Sequence, residues 1–302
     1  MRRRLIIAVS AGLAGIVVMG GLVLASQQGW LGRREQRLLA RAASAERQGN
    51  FPEAQANLEE LVATFPESAW ADDALLKLGQ VYEAQQQLVE ARSMYRTLLE
   101  RFPDSPLVPQ AQTRLGDINI ALLFSPVVTD TDTVHVVKLG DTLGKIASAY
   151  TTTVELIKRA NGLKSDIIRP AQKLKIPKGR FSIVVDKSQN QLLLTSENQF
   201  MKTYPVATGK DNSTPVGTFK IVNRIPNPVW YTQHAIVQPD SPENILGTRW
   251  LGIDKQGYGI HGSVDPNAVG HQVTAGCVRM TDKDVEELFD IIPVGTEVTI
   301  VD

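Results

Sequence analysis

The chain has 302 residues, and its 32 Lys and Arg are balanced by 32 Asp and Glu. That length accommodates two or three domains, and the even charge gives no reason to expect nucleic acid or another polyanion as partner. A single cysteine excludes an internal disulfide and an all-cysteine metal site.

The first predicted element is apolar. Arg2, Arg3 and Arg4 precede Leu5 to Ala25, a run of 21 residues without charge in which Ser10 is the polar one. This is long enough to cross a hydrocarbon core, and the arginines favour an N-terminus left in the cytoplasm. Residues 1–33 therefore read as an uncleaved anchor in the cytoplasmic membrane, inserted through residues 5–25. The alternative is a cleaved signal peptide with Val23-Leu24-Ala25 at the cleavage site, although a signal h-region is usually shorter. Either way the bulk of the chain lies in the cell envelope or beyond it. A lone thiol there is exposed to oxidation, so its presence needs a reason.

Residues 34–124 read as helical repeats. Residues 51–79 align with 88–116 at a constant offset of 37: Ala54 meets Ala91, Leu58 meets Tyr95, Phe65-Pro66 meets Phe102-Pro103, and Gly79 meets Gly116. Each unit predicts a helix, a turn at "FPES" or "FPDS", and a second helix. Pro is expected where the new helix begins, since its missing N–H would be unpaired there. Alanine and glycine at fixed offsets let paired helices approach closely. The pattern resembles tetratricopeptide-type repeats, which implies an envelope protein partner; a helical stack with no partner is the alternative.

Residues 125–133, "SPVVTDTDT", read as a linker. In 134–178 a β-branched run, Val134 to Val137, precedes a "GDT" turn. Thr142 can cap a helix with Leu143, Ile146 and Ala147 on its apolar face. A second helix stops at Asn161-Gly162, and Leu174 and Ile176 alternate in a closing strand. Gly140-Asp141-Thr142-Leu143, Ile146-Ala147, Tyr150, Asn161, Gln172-Lys173-Leu174 and Ile176-Pro177 resemble a LysM module. His135 stands in place of an aromatic and Ala171 in place of a glycine. The resemblance implies a βααβ fold that binds N-acetylglucosamine-containing glycan strands, through Gly140, Asp141, Thr142 and the loop around Ile167.

Residues 180–302 change to strand patterning. Two alternating apolar runs flank "SQNQ" and "SENQ" turns, "TPVGTFKIV" and "TEVTIVD" are further strands, and turn signals recur every 8–12 residues. A mainly-β sandwich or barrel follows, with one short helix capped by Thr281 and buried through Val285, Leu288 and Phe289.

Three readings of Cys277 stand on the residues alone: nucleophile, metal ligand with His261 and His271, or buried structural residue. The gaps of ten and six residues match no common zinc template, so no metal and no cofactor are expected. A catalytic thiolate needs a base, nearby donors and backbone N–H groups aimed at the developing oxyanion. Gly276 permits a strained turn, Arg279 supplies positive charge, and His261 inside "GYGIHG" can face a cleft. The structural reading stays open beside the catalytic one.

The segments "YPVATGK" (204–210), "TPVGTFKI" (214–221), "NPVW" (227–230), "LGTRWLGI" (246–253), "GYGIHG" (257–262) and "TAGCVRM" (274–280) resemble the L,D-transpeptidase catalytic domain of the YkuD type. Thr274 and Ala275 stand where the family often has Ser and His. The resemblance implies that Cys277 attacks a peptidoglycan stem peptide, with His261 as base oriented by the Gly262 carbonyl. The N–H groups of Ala275, Gly276 and Cys277 would form the oxyanion hole. Arg279, Thr274, Tyr258 and Trp250 are candidate substrate residues. Transfer to a stem amine gives a 3→3 cross-link. Water or a protein amine as acceptor gives a carboxypeptidase, endopeptidase or wall-attachment activity, and a non-catalytic wall-binding scaffold is the remaining alternative. His271 is expected on a surface loop, His234 on a loop over the cleft, and His135 in the LysM strand.

Overall fold

A computed structural model describes residues 34–302 apart from Gln233, His234, Asp240 and Val264. The expected anchor and His234 lie outside the described residues. Among those described, no helix is long and apolar enough to cross a membrane. The described residues divide into two compact units, one ending at Ala111 and the other Gln112–Asp302.

The first unit is helical: α1 over 34–47, α2 Phe51–Thr64, α3 Ala71–Ala84, α4 Leu88–Arg101, and the start of α5 Val108–Leu123. Asn50 caps α2 through its side chain, and Pro52 occupies its first turn. The repeat offset is visible as packing, because Ala54, Leu58 and Leu61 are fully buried and so are Ala91, Tyr95 and Leu98. The Tyr95 ring lies against Gly79, where an added Cβ would meet it at 2.5 Å. One expectation is corrected. Pro66 and Pro103 do not open the next helices; they directly follow Phe65 and Phe102, which end α2 and α4. Proline there stops a helix it cannot continue, and α3 begins five residues later.

In the second unit, β1 (Asp132–Val136) pairs antiparallel with β2 (Lys173–Pro177), with α6 (Leu143–Ala149) and α7 (Val154–Ala160) between them. Thr142 and Thr153 cap the helices through their hydroxyls. Asn161 ends α7 and ties it to β2, donating to the Lys175 carbonyl and accepting from the Lys175 N–H. β1 starts two residues before the predicted Val134, inside the expected linker. The cause is a buried ion pair: Lys175 lies 3.4 Å from Asp132 and donates to the carbonyls of Leu122 and Ser125 at 2.7 and 2.9 Å. A buried ammonium requires such partners, and they hold the segment in place.

The rest is one eight-stranded mixed sheet. Its strands are β3 (Phe181–Asp186), β4 (Gln191–Ser196), β5 (Gln199–Pro205), β7 (Gly217–Pro226), β10 (Arg249–Ile253), β11 (Gly259–His261), β13 (Val278–Arg279) and β14 (Glu297–Val301). The order is β13-β11-β10-β7-β14-β3-β4-β5. Just past β5, Ala207 exchanges both backbone hydrogen bonds with Arg279 of β13, at 2.7 and 2.8 Å. This bridge joins the two ends of the sheet into a closed, barrel-like layer, in which β7 pairs with β14 through Gly217–Lys220 and with β10 through Ile221–Pro226. Its core holds Ile183, Val185, Leu192, Leu194, Tyr204, Leu251, Ile260, Val278, Val298 and Ile300, with α8 (Asp282–Ile291) packed on through Val285, Leu288 and Phe289. Two small pairs complete the unit: β6 (Thr208–Gly209) with β12 (Gln272–Thr274), and β8 (Trp230–Tyr231) with β9 (Ile236–Val237).

Candidate active site

Strand register places the thiol and the imidazole on one face of the sheet. β11 and β13 run parallel, with Ile260 beside Val278 and His261 beside Arg279. Ile260 and Val278 point into the core. Alternation along a strand then sends His261 and Arg279 to the opposite face, and Cys277, directly before β13, precedes them on that side. His271 is not part of the group. It is exposed, and its carbonyl accepts from the Thr208 N–H at 3.1 Å.

His261 is 2% exposed, and its Nδ1 lies 2.7 Å from the Gly262 carbonyl. A carbonyl only accepts, so Nδ1 carries the proton and Nε2 keeps a free lone pair. Trp250, directly across β10–β11 from His261, stacks on the imidazole at 5.9 Å between centroids and 18° between planes. The indole is fixed in turn by its N–H to Asn223 Oδ1 at 3.1 Å, and it occupies the space a Cβ on Gly259 would fill. Trp250, a candidate substrate residue by sequence, therefore holds the imidazole. Asn223 was not visible as a participant, since its role depends on the β7–β10 register. Asp282, the first residue of α8, accepts from the Thr248 N–H at 3.0 Å and packs against Gly262. The carbonyl that orients the imidazole is thereby fixed as well.

The cysteine loop is stapled from within. The Thr274 hydroxyl donates to the Cys277 carbonyl at 2.6 Å and accepts from the Gly276 N–H at 3.1 Å. Thr274 is buried, and its hydroxyl is spent on shaping the loop. The same bond engages the Gly276 N–H, which corrects the three-donor oxyanion hole. The N–H groups of Ala275 and Cys277 have no acceptor among the described residues. Gly276 adopts φ +134°, and a Cβ there would meet the Tyr258 ring at 2.7 Å. Glycine is needed on both counts, and Tyr258 forms a wall under the loop. Below it, Gly209 donates its N–H to the Thr214 hydroxyl, and buried Lys187 donates to the Thr214 carbonyl while pairing with Asp302 at 2.7 Å.

Burial favours the neutral form of both groups. Burial pulls the His261 imidazole down to about 4, with the Arg279 charge acting the same way and the Gly262 hydrogen bond opposing. Burial also pushes the Cys277 thiol up, against the Gly259 backbone and Arg279. The thiol's acceptor is the Gly257 carbonyl at 3.6 Å, and not His261. Burial disfavours both charged forms, so no thiolate–imidazolium pair is stored in advance. Arg279 has no ion pair or side-chain hydrogen bond among the described residues, and its Nε is buried without a partner.

The two loops expected to bind glycan are adjacent, because the Ala171 N–H donates to the Val137 carbonyl and the Val137 N–H to the Gln172 carbonyl. Ile167 is 77% exposed, and Leu139 beside Gly140, which sequence reading passed over, is 93% exposed. The Asp141 carboxylate accepts from the Lys138 N–H at 2.8 Å and lies 2.9 Å from His135 Nε2; the backbone bond first, then His135, hold it below the usual carboxylate range. Thr142 is occupied as a helix cap.

Comparison with known proteins finds a family match for each region of the chain. The L,D-transpeptidase catalytic domain family matches residues 180–300, the LysM domain family 135–177, and the tetratricopeptide repeat family 39–106 and 76–121. A protein of Bacillus licheniformis named "Putative L,D-transpeptidase YkuD" is 39% identical over 172 residues, covering 54% of this chain and 96% of its own. Its namesake in Bacillus subtilis is 38% identical over 171 residues, with the same coverage. A solved L,D-transpeptidase from Mycobacterium smegmatis aligns with TM-score 0.36 and 18% identity, over 44% of this chain and 64% of its own.

Proposed function

Because the chain belongs to the L,D-transpeptidase family of the YkuD type, we propose that Cys277 is its nucleophile and His261 its general base. The observation that carries this is the Nδ1 contact with the Gly262 carbonyl, which leaves a neutral Nε2 free to accept a proton. The enzyme is a peptidoglycan transferase. His261 Nε2 takes the Cys277 proton as Sγ attacks the carbonyl of the third stem residue. The N–H groups of Ala275 and Cys277 receive the oxyanion. Collapse breaks the amide, D-Ala leaves with the proton from His261, and a thioester remains on Sγ. An amine of a second stem attacks the thioester and passes its proton to His261. The new amide forms, and Sγ leaves as the thiolate that recovers the proton. Since thiol and imidazole rest neutral, proton transfer accompanies attack.

Arg279 holds a carboxylate of the donor stem. A buried guanidinium N–H without a partner calls for an explanation, and a carboxylate matches its fork geometry. The LysM module and the catalytic domain bind peptidoglycan, and the chain acts in the cell envelope. Within that setting, residues 5–25 anchor the enzyme in the membrane, 34–124 form the repeats that take an envelope partner, 134–178 bind glycan, and 180–302 carry out the chemistry.

The test is incubation of the full chain with disaccharide-tetrapeptide, followed by mass spectrometry. A cross-linked dimer, free D-Ala and an acyl adduct on Cys277 are expected, and all three disappear in Cys277→Ser. Tripeptide without dimer would make water the acceptor. Turnover by the Cys277→Ser variant would refute the assignment.

A further inference from the structure

The module that carries the glycan loops is not hung on a slack tether. Leu156 of α7 is fully buried in the barrel's apolar core, while its neighbour Ile157 belongs to the module's own core. The Thr153 hydroxyl donates to the Asp290 carbonyl on α8. Arg159 pairs with the Asp290 carboxylate at 2.9 Å and lies over the Phe124 ring at 3.5 Å. Arg224 of β7 reaches Glu155 at 3.2 Å and the Phe289 carbonyl at 2.7 Å. On β2, buried Lys175 grips the Leu122 and Ser125 carbonyls. The barrel, α8 and the segment after α5 therefore each hold the module.

We infer that this junction fixes the path of a bound glycan strand relative to Cys277, so that only stems at a set spacing along the strand reach the thiol. The inference rests on the reading that Cys277 acylates stems. Thr153, Glu155, Leu156 and Arg159 are positioning residues for polymeric substrate, and among the described residues no hydrogen bond or ion pair of their side chains reaches the thiol or the glycan loops. A flexible tether would raise the local concentration of polymer. A rigid mount also sets orientation, which contributes to rate beyond proximity.

The rigid mount is measured without activity. Spin labels at Ser165→Cys and Gln189→Cys, in a Cys277→Ser background of the full chain, should give one narrow distance distribution. Adding Leu156→Ala with Arg159→Ala should broaden it. In the unlabelled enzyme the same pair should lower the rate on intact sacculi, relative to soluble disaccharide-tetrapeptide, by about tenfold. Soluble kcat/KM and binding of N-acetylglucosamine oligomers should stay at wild-type values. Arg159→Ala alone, which keeps the buried Leu156, should shift the ratio in the same direction by less. A broad distribution in the parent protein overturns the inference, and so does an unchanged ratio in a variant whose module has come loose. A wild-type enzyme inactive on the soluble substrate refutes the role of Cys277 instead, and the distance distribution then decides the junction by itself.

Discussion

Two cations of the C-terminal unit, one buried and one partly buried, are compensated in opposite ways. Lys175 of the LysM module is 4% exposed and is met by the Asp132 carboxylate and two backbone carbonyls. Arg279 of the barrel turns a buried Nε toward no acceptor, beside a neutral imidazole and a neutral thiol. Desolvated charge must be compensated from somewhere. At Lys175 the chain supplies the compensation, so the residue holds structure together. At Arg279 the chain withholds it, and a substrate carboxylate can supply it. Proximity to chemistry does not by itself separate the two cases; the partner count does.

The largest expected effect breaks the structural half of this contrast. Lys175→Met leaves Asp132 buried without its counter-ion, which should destabilise by about 3–5 kcal/mol and lower the melting temperature by roughly 10 °C. Turnover of soluble disaccharide-tetrapeptide at 25 °C should persist. A variant that melts like the parent would erase the distinction.

Next comes the imidazole, a group that burial keeps neutral. Its native value of about 4 lies below the ordinary 6.5. Below pH 6.5 the unfolded chain takes up a proton that the native state refuses until about pH 4. The stability this group contributes is therefore complete above 6.5 and is lost as pH falls through that window, by about 3 kcal/mol. Denaturant titrations should find a shallower acid dependence in His261→Gln. For the wild type, kcat/KM should hold down to about pH 5, and an acid limb centred near 6.5 would contradict the buried, neutral base.

Arg279→Gln tests the functional half. With no ion pair to lose, stability should change by about 0.5 kcal/mol or less. Loss of the stem carboxylate contact should lower kcat/KM about 100-fold. The reverse pattern, a large loss of stability with intact kinetics, would make Arg279 a second Lys175.

What was legible in the sequence follows the range of the interactions. The 37-residue offset, the Thr142 and Thr281 caps and the Asn161-Gly162 stop are local, and each appears where its residues predict it. The catalytic candidates were legible because "GYGIHG" and "TAGCVRM" are contiguous motifs. Their geometry was not, because the parallel register of β11 and β13 and the bridge from Ala207 to Arg279 join residues far apart in the chain. Trp250 and Thr274, candidate substrate residues by motif, make contacts the motif does not show: one stacks on the His261 imidazole and the other staples the cysteine loop. Asn223 and Asp282 carried no signal, since an exposed-type polar residue in a strand or at a helix start is common.

The smallest effect concerns a strain that also lacks local compensation. Ala171 adopts φ +65°, in the left-handed region, to send its N–H to the Val137 carbonyl and join the glycan loops. A side chain there costs about 1–2 kcal/mol, whereas glycine adopts the angle freely but loses about 0.5–1 kcal/mol more backbone entropy on folding. Ala171→Gly should therefore stabilise by about 0.5 kcal/mol, a rise in melting temperature of roughly 1–2 °C. Binding of N-acetylglucosamine oligomers should be unchanged, because the hydrogen bond that joins the loops uses backbone atoms and survives the substitution. Ala171→Val, which worsens the crowding at the same angle, should move stability the other way. If both variants destabilise, the methyl group of Ala171 is packed in a way that offsets its backbone strain, and the strain is compensated after all.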